Sequence, residues 1–433
     1  MIAFYTLLLR LATPVLLLRL FLLGYRQRGY RDAWPQRLGL GLPVQAAGPR
    51  LWVHAVSVGE VQAALPLIAA VQAKYPALAV LVTTTTPTGA ALLRQRLGPR
   101  VTHAYLPFDL PGAMRRFLTV VQPLAAIIME TELWPNLLRQ CTARGVPVLL
   151  ANARLSQRSC ARYRLAAATT RGMLRSLAAI AAQAETDAGR FIRLGAVPER
   201  LAVTGNIKFD VTPGPDPGER VRDWRNRCAA GRPVWIAAST HAGEEAPILT
   251  VFARLRVVLP ELLLVLVPRH PERARRVAEL CERRGFTLAR RSLMEYPAAR
   301  PDIYLVDTLG ELSLFYGLAD VAFVGGSLQA IGGHNPLEAA ALRVPVVTGR
   351  HCFNLEGIYR SLIEAGAAWR AEDEDALYER VLALLRDPGL RERAGAAGLA
   401  VVEANRGAVH RILGLLEPLL KGAFAAAGVK IRA

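Results

Sequence analysis

The sequence predicts an α/β protein with two doubly wound, Rossmann-like domains, and three observations indicate this class. Short apolar runs alternate with helical stretches from Leu51 onward, which is typical of a parallel sheet covered on both faces. The length of 433 residues is sufficient for two domains of ordinary size. Residues 211–218 contain three Pro and two Gly, interrupt the alternation and predict a linker. We therefore predict a hydrophobic N-terminal segment at 1–24, an N-terminal domain at 25–210 and a C-terminal domain at 219–433.

Each predicted strand is a short run rich in Val, Ile, Leu and Ala. In the first domain these runs are Leu51–Val56, Ala79–Thr83, Leu124–Met129, Val146–Leu150 and Ala178–Ala182. In the second they are Val234–Ala238, Leu262–Val267, Ile303–Val306, Val321–Val324 and Val344–Val347. Segments between them, such as Val61–Lys74, have helical spacing. Ligands of doubly wound domains bind beyond the carboxyl ends of the strands, so we expect the site there, in a cleft between the domains.

The composition indicates a polyanionic partner. The chain has 54 Lys and Arg against 35 Asp and Glu, a net charge of +19, which suits anionic lipid or a phosphorylated substrate. Nucleic acid is disfavoured as a partner, because no binding motif is present and the Arg residues are scattered through helical segments. The five Cys have no close spacing and are expected to be buried small hydrophobes in a reducing compartment.

The N-terminal segment is the clearest membrane signal in the chain. Ile2 to Leu23 is apolar except for Arg10 and Arg19, and about 20 residues can span a bilayer. Arg10 lies near its middle, where a charge costs roughly 2.5–3.5 kcal/mol. The basic residues that follow place the C-terminal side in the cytoplasm if the helix spans, and meet anionic headgroups if it lies on the surface. The alternative is a buried helix of the globular body.

Polar residues follow the first predicted strand and begin a helix. The sequence Ser57-Val58-Gly59-Glu60 places a carboxylate at a Gly-flanked helix start, where it could act as a general base. The alternative is a first-turn Glu that complements the helix dipole. Thr85, after the second strand, belongs to a run of hydroxyls at the next helix start.

Two carboxylates, Glu130 and Glu132, follow the strand that ends at Met129. Such a pair could bind a cation, whereas Glu132 could equally cap the following helix. We favour structural or acceptor-binding roles over a metal, because nothing nearby in the sequence completes an oxygen cage.

In the second domain, Ser239 and Thr240 follow the first strand, and small hydroxyls at a helix N-terminus suit a phosphate. Arg269 follows the next strand and offers a guanidinium to phosphate or carboxylate. The alternative for Arg269 is an ordinary surface turn.

The longest motif, Gly325 to Glu338, follows a buried strand and precedes a helix. Gly325, Gly326, Gly332 and Gly333 allow sharp turns and close approach to a ligand. Free N–H groups at the helix start suit a phosphate, and Glu338 could accept from ribose hydroxyls. The alternative is a tight turn with an Asn N-cap.

The order of these motifs resembles the bacterial Kdo (3-deoxy-D-manno-octulosonic acid) transferases, membrane-associated enzymes of the GT-B glycosyltransferase fold. The resemblance covers nearly the whole chain. It is carried by His54–Glu60, Thr83–Gly89, Glu130–Asn136, Asn152–Ser156, Gly205–Asp210, Ser239–Glu245, Pro268–Pro271, Asp307–Glu311 and Gly325–Glu338.

The resemblance implies transfer of Kdo from CMP-Kdo to a lipid A precursor, lipid IVA, at the cytoplasmic face of the bacterial inner membrane. It implies inversion at the anomeric centre and no metal or other cofactor. Glu60 matches the catalytic base. The donor-binding set it implies is Ser239, Thr240, Arg269, Gly325, Gly326, Gly332, Gly333, His334, Asn335 and Glu338. The acceptor-binding set is Ser57, Gly59, Thr85, Glu130 and Glu132.

Two alternatives stay open at this stage. One is a GT-B enzyme that uses another nucleotide sugar, and competition between CMP and UDP distinguishes it. The other is a non-catalytic, membrane-tethered protein that binds anionic glycolipid and has no nucleotide affinity.

Overall fold

The computed structural model describes residues 2–43, 48–210, 218–229, 231–293, 300–426 and 428, without the side chains of Arg26 and Cys228. The chain divides into two compact units: unit 1 contains residues 1–210 and 406–433, and unit 2 contains residues 211–405. The predicted linker at 211–218 lies outside the described residues except for Gly218, the first residue of a helix.

Each unit contains one seven-stranded sheet. The strands of unit 1 are β1 (Arg50–His54), β2 (Ala79–Thr84), β3 (Thr102–Tyr105), β4 (Ala125–Met129), β5 (Val148–Ala153), β6 (Ala179–Ala182) and β7 (Leu201–Val203). The strands of unit 2 are β8 (Val234–Thr240), β9 (Leu263–Pro268), β10 (Leu288–Arg290), β11 (Ile303–Leu305), β12 (Val321–Val324), β13 (Val346–Thr348) and β14 (Ala368–Arg370).

Helices connect most of the strands. Those of unit 1 up to residue 210 are α1 (Ile2–Arg26), α2 (Val58–Lys74), α3 (Pro87–Leu97), α4 (Pro111–Val121), α5 (Pro135–Ala143), α6 (Gln157–Arg164), α7 (Ala167–Ser176) and α8 (Glu185–Arg193). Those that follow are α9 (Gly218–Trp224), α10 (Glu245–Val258), α11 (Ala274–Arg283), α12 (Leu312–Leu318), α13 (Leu337–Ala341), α14 (Glu356–Glu364), α15 (Glu374–Arg386), α16 (Pro388–Asn405) and α17 (Ala408–Ala426).

Both sheets are parallel and doubly wound. The order in unit 1 is β3-β2-β1-β4-β5-β6-β7, so the winding direction reverses between β1 and β4. The order in unit 2 is β10-β11-β9-β8-β12-β13-β14, with the reversal between β8 and β12. Ligands of such sheets bind beyond the strand ends at the reversal. The predicted fold class is confirmed. The topology indicates that ligands would bind at the residues that follow β1, β4, β8 and β12.

Apolar cores cover the sheets and explain the continuous apolar runs of the central strands. In unit 1, Val53 belongs to the core on one face of the sheet and Trp52 to the core on the other. Alternate residues of a strand point to opposite faces, so a sheet that is covered twice needs apolar residues throughout. The four described Cys side chains are buried and unpaired, as predicted: Cys141, Cys160, Cys281 and Cys352.

The last helix corrects the predicted boundary of the second domain. The sequence predicted one domain at 219–433, but α17 packs on the core of unit 1 through Ile412, Leu416, Leu420 and Phe424. Asp210 holds the start of α17, since its carboxylate accepts from the N–H groups of residues 407 to 409 at 2.5–3.3 Å. An apolar face at four-residue spacing predicts a helix, but it does not indicate which sheet that helix covers.

Candidate functional site

In unit 1, Glu60 lies in the first turn of α2, just beyond the carboxyl end of β1. Its carboxylate accepts from the Val56 N–H at 2.8 Å and from the Ser57 hydroxyl at 3.4 Å. These two donors hold the side chain back over the turn that connects β1 to α2. The structure thus places the predicted base at the reversal of the sheet.

The surroundings of Glu60 disfavour its ionised form. Burial raises its pKa to about 8, and the negative charges of Glu130 and Glu132 act in the same direction. The Val56 N–H and the Ser57 hydroxyl oppose this rise only in part. A carboxylate with a pKa near the working pH is both available as a base and strong enough to remove a proton.

Glu130 and Glu132 follow β4, the strand beside β1, so the structure brings both near Glu60. Glu130 has a φ of 55°, a left-handed conformation that costs a non-Gly residue about 1–3 kcal/mol. Its N–H donates to the Ala151 carbonyl at 2.9 Å, which holds the strained residue in place. Glu132 accepts from the Trp134 indole at 2.9 Å, and burial raises its pKa. Strain at the end of a central strand is typical of functional sites.

Lys208 is a further charged residue of this cluster, to which the sequence analysis assigned no role. Burial lowers its pKa, while the charges of Glu130 and Glu60 raise it. Asn206 caps the turn that contains Lys208 by accepting from the Lys208 N–H at 3.0 Å. The buried Asn152 side chain accepts from the Ile207 N–H at 3.1 Å. The available signal was Lys208's place in the motif Gly205–Asp210, but its spatial neighbours are not evident from the sequence.

Ser57, Gly59 and Thr85 lie beside Glu60. Ser57 precedes α2, and its hydroxyl reaches Glu60. Thr85 is exposed, and its N–H donates to the Val56 carbonyl at 3.1 Å. A Cβ at Gly59 would meet no atom closer than the Ser57 hydroxyl at 4.0 Å. Steric constraints of the fold therefore do not require glycine at this position. The acceptor-binding roles of this group stay a prediction.

In unit 2, Glu244 organises the loop that follows β12. Its carboxylate is fully buried and accepts four backbone N–H groups at 2.8–2.9 Å, those of His241, Gly326, Ser327 and Leu328. Glu244 belongs to the loop after β8, so it connects the two strand ends at the reversal of the second sheet. Glu244 was not among the site residues predicted from the sequence.

Hydrogen bonds within the Gly-rich loop close it on itself. The amides of Gly332 and Gly333 donate to the Gly326 carbonyl at 3.0 and 2.8 Å, and the Gly326 amide donates to Glu244. These three amides are therefore occupied within the protein, and the predicted contact of the glycines with the donor stays a prediction. Gly325 is required sterically, because a Cβ there would lie 2.7 Å from the Ser239 carbonyl oxygen.

Ser239 and Thr240 lie within β8 and not at a helix start. The helix α10 begins only at Glu245, so the expected helix N-terminus lies several residues farther along the chain. The Thr240 hydroxyl donates to Glu245 at 3.0 Å, and Ser239 has a left-handed φ of 57°. Their predicted contact with the donor stays a prediction, but it cannot depend on a helix that starts at these residues.

Three imidazoles and a guanidinium lie beside the Gly-rich loop. The rings of His334 and His241 are stacked at 5.0 Å, with 2.8 Å between their Nε2 atoms, and His270 meets His241 edge to face. Burial lowers the pKa of His334 to about 4, and the charge of the exposed Arg269 acts in the same direction. His334 is therefore neutral near pH 7, so Arg269 supplies the fixed positive charge of this group.

Asn335 and Glu338 lie at the start of α13. The Asn335 side-chain oxygen accepts from the Leu337 N–H at 3.2 Å, which is the capping role foreseen as the alternative. Glu338 is in the first turn of the helix and partly exposed. Asn335 directly follows His334, and Glu338 lies in the helix that begins two residues after Asn335. Their contact with a donor stays a prediction.

Comparison with known proteins shows the family to which this chain is similar. Residues 32–211 match the family described as 3-Deoxy-D-manno-octulosonic-acid transferase (kdotransferase). The chain is 44% identical over 420 residues to the 3-deoxy-D-manno-octulosonic acid transferase of Haemophilus influenzae, covering 96% of this chain and 98% of the relative. It is 39% identical to the Bordetella pertussis transferase, covering 96% and 99%.

Solved structures support the fold. The UDP-GlcNAc 2-epimerase of Neisseria meningitidis superposes with a TM-score of 0.58 at 14% identity, covering 85% of this chain and all of that one. A glycosyltransferase of Rickettsia africae superposes with a TM-score of 0.55 at 13% identity, covering 87% and 100%. At such identities the similarity concerns the fold alone.

Proposed function

The chain belongs to the 3-deoxy-D-manno-octulosonic acid (Kdo) transferase family of glycosyltransferases, and from this premise we propose that it transfers Kdo from CMP-Kdo to lipid IVA. Kdo transfer in lipopolysaccharide biosynthesis is the activity of the family, whereas the donor, the acceptor and the residue roles are our proposal. The observation that carries it is Glu60, a partly buried carboxylate with a pKa of about 8 at the reversal of the first sheet.

Glu60 acts as the general base. Its carboxylate removes the proton from an acceptor sugar hydroxyl while that oxygen attacks C2 of Kdo. The C2–O bond to the phosphate of CMP-Kdo breaks, the electron pair leaves with CMP, and the anomeric centre inverts. The proton stays on Glu60 until solvent takes it. Lys208 supports this role, because a nearby positive charge favours the carboxylate form of Glu60.

Unit 2 binds the donor. Arg269 is exposed beside the Gly-rich loop and offers a guanidinium to the phosphate of CMP as negative charge develops there. A nucleoside monophosphate carries less charge than a diphosphate, so a single guanidinium and nearby neutral donors suit it. His334, Asn335 and Glu338 surround the ribose or the Kdo carboxylate. The bonds from Glu244 keep this loop in one shape.

The lipid acceptor is met at the bacterial inner membrane, with the catalytic body on the cytoplasmic face. By length and composition α1 could cross a bilayer, the one such helix in the described parts of the chain. Residues 133–184 contain eight Arg and no Asp or Glu, and all eight Arg are exposed. A surface of this charge is attracted to anionic headgroups and to a bisphosphorylated acceptor.

Purified protein incubated with CMP-Kdo and lipid IVA tests the proposal. Mass spectrometry of the product should show lipid IVA increased by one or more Kdo residues, and Glu60→Gln should bind CMP normally but transfer no Kdo. Excess CMP should inhibit more strongly than UDP. Folded protein that binds lipid IVA but neither CMP nor CMP-Kdo would contradict the proposal and support a glycolipid-binding protein.

A further inference from the structure

Helix α1 is attached to unit 1 near its beginning. The Asn136 amide donates to the Thr6 hydroxyl at 3.0 Å, and Thr6 is buried. Asn136 is itself fixed, since its backbone N–H and its side-chain amide donate to Asp109 at 2.9 and 2.7 Å. The first two turns of α1 are thereby joined to α5 of the folded body.

The residues that follow α1 are attached to the same unit. The Tyr105 hydroxyl donates to the Gly29 carbonyl at 3.3 Å, and Gly29 packs so closely on Pro87 that a Cβ would lie 2.7 Å from the proline ring. At 1.5 Å per residue, Thr6 and Arg26 are about 30 Å apart along the helix. This length is about the thickness of the hydrocarbon core of a bilayer. A spanning α1 would place Thr6 across the membrane from Tyr105, and its bond to Asn136 could not form.

The two faces of α1 differ in exposure. One stripe of residues is buried or half-buried along the whole helix: Ile2, Tyr5, Thr6, Leu9, Ala12, Thr13, Leu16, Leu17, Leu20, Leu23 and Gly24. On the opposite face Phe4, Leu11 and Leu22 are 65%, 68% and 57% exposed. Arg10 and Arg19 lie about 80–100° to either side of the half-buried stripe, by the angle of 100° per residue. The helix therefore has a less exposed stripe that contacts the protein at Thr6 and Gly24, an apolar outer face and one arginine on each flank.

We propose that α1 lies in the plane of the membrane, with its outer face immersed in one leaflet of anionic lipid, and does not cross it. This inference rests on the membrane attachment proposed above. In this orientation both flanking arginines are at the level of the headgroups, where their positive charges meet lipid phosphates. The arrangement also removes the difficulty of Arg10, which a spanning helix would hold near the bilayer centre.

Depth measurement along the outer face tests the inference on the full chain in vesicles of phosphatidylethanolamine and phosphatidylglycerol. Phe4→Cys, Leu11→Cys and Leu22→Cys each receive an environment-sensitive fluorophore, and lipids with spin labels at different depths quench it. The parent chain after the same labelling reaction is the control for native cysteines. We expect equal, shallow depths at all three positions. A deep Leu11 position with shallow ends would show a spanning helix, and absence of lipid quenching at all three would show that protein covers this face; either result overturns the proposal.

Sidedness gives a second test. A protease-sensitive epitope placed before Met1 should resist protease added to spheroplasts and be cleaved in inverted membrane vesicles, whereas cleavage in spheroplasts overturns the proposal. Arg10→Leu/Arg19→Leu removes both flanking charges, and we expect part of the chains to become sensitive from outside. Kdo transfer measured in detergent reports separately on the proposed function: active protein with a spanning α1 refutes only the inference, and inactive protein with an in-plane α1 refutes only the proposed function.

Discussion

The raised pKa of Glu60 predicts how the rate of Kdo transfer depends on pH. With a pKa of about 8, only about one-tenth of the Glu60 side chains are ionised at pH 7. If Glu60 is the base, kcat/KM should rise about tenfold between pH 7 and pH 9 and level off above the pKa. A carboxylate in water would be fully ionised by pH 6 and would give a flat profile over this range.

Removal of a neighbouring charge should move this profile. Burial is the main cause of the raised pKa, and the negative charge of Glu130 adds to it. Glu130→Gln removes that charge, so the ionised form of Glu60 becomes less unfavourable and the midpoint moves to lower pH. The height of the profile also falls if Glu130 contacts the acceptor, but the midpoint is independent of the height. Glu199→Gln, an exposed carboxylate in the same unit, is the matched control and should leave the midpoint unchanged.

The assay is the initial rate of transfer at substrate concentrations below KM, where the profile reports ionisation of the free enzyme. Glu60→Gln gives the background rate at each pH. A wild-type profile that is flat from pH 6 to pH 9 would refute the assignment of Glu60 as a base with a raised pKa. A midpoint that Glu130→Gln leaves in place would refute the electrostatic coupling alone.

Three further predictions concern stability and donor binding. The folded state holds the Glu60 proton up to about pH 8 and the unfolded state releases it near 4.5, so Glu60 costs stability as pH rises between these values. The difference in free energy of unfolding between Glu60→Gln and the wild type should therefore shift in favour of the variant from pH 5 to pH 8, by at most about 5 kcal/mol; a difference in urea stability that is the same at both pH values would contradict this. Glu244→Gln places an amide NH₂ among four N–H donors, so we expect destabilisation by about 2–5 kcal/mol and weaker CMP binding in calorimetry, whereas unchanged CMP affinity would refute the loop-holding role. Gly325→Ala, whose methyl would meet the Ser239 carbonyl at 2.7 Å, should lower both the melting temperature and CMP affinity, while Gly357→Ala, with nothing within 4 Å, should change neither.

The central strands could be predicted from the sequence because burial on both faces leaves continuous apolar runs. Val321–Val324 has the predicted bounds, and others differ by one to three residues at an end. Four strands were missed: Thr102–Tyr105, Leu201–Val203, Leu288–Arg290 and Ala368–Arg370. Each lies at an edge of its sheet and has only three or four residues, and all except Leu201–Val203 include polar residues. An edge strand pairs on one side only and is less fully covered, so it requires no continuous apolar run.

The site was predictable where one segment contains both the strand end and the functional group. Glu60 is such a case, since the helix start and the carboxylate are adjacent in the sequence. The cage around Glu244 was not predictable, because its donors at Gly326 and Leu328 are more than 80 residues away. Lys208 was missed for the same reason, because Glu60 and Glu130 are distant from it along the chain and the sequence does not show that they lie near it in space.

Two glutamates follow the first strands of the two sheets, and their different numbers of hydrogen-bond donors explain their different roles. Glu244 is fully buried, and four backbone N–H donors satisfy both of its carboxylate oxygens. Glu60 has one backbone donor and one long hydroxyl contact, and two further carboxylates lie near it. A carboxylate with so few donors gains stability when it takes up a proton. The surroundings of these two glutamates therefore fit a structural role for Glu244 in unit 2 and the proposed role of Glu60 as a base in unit 1.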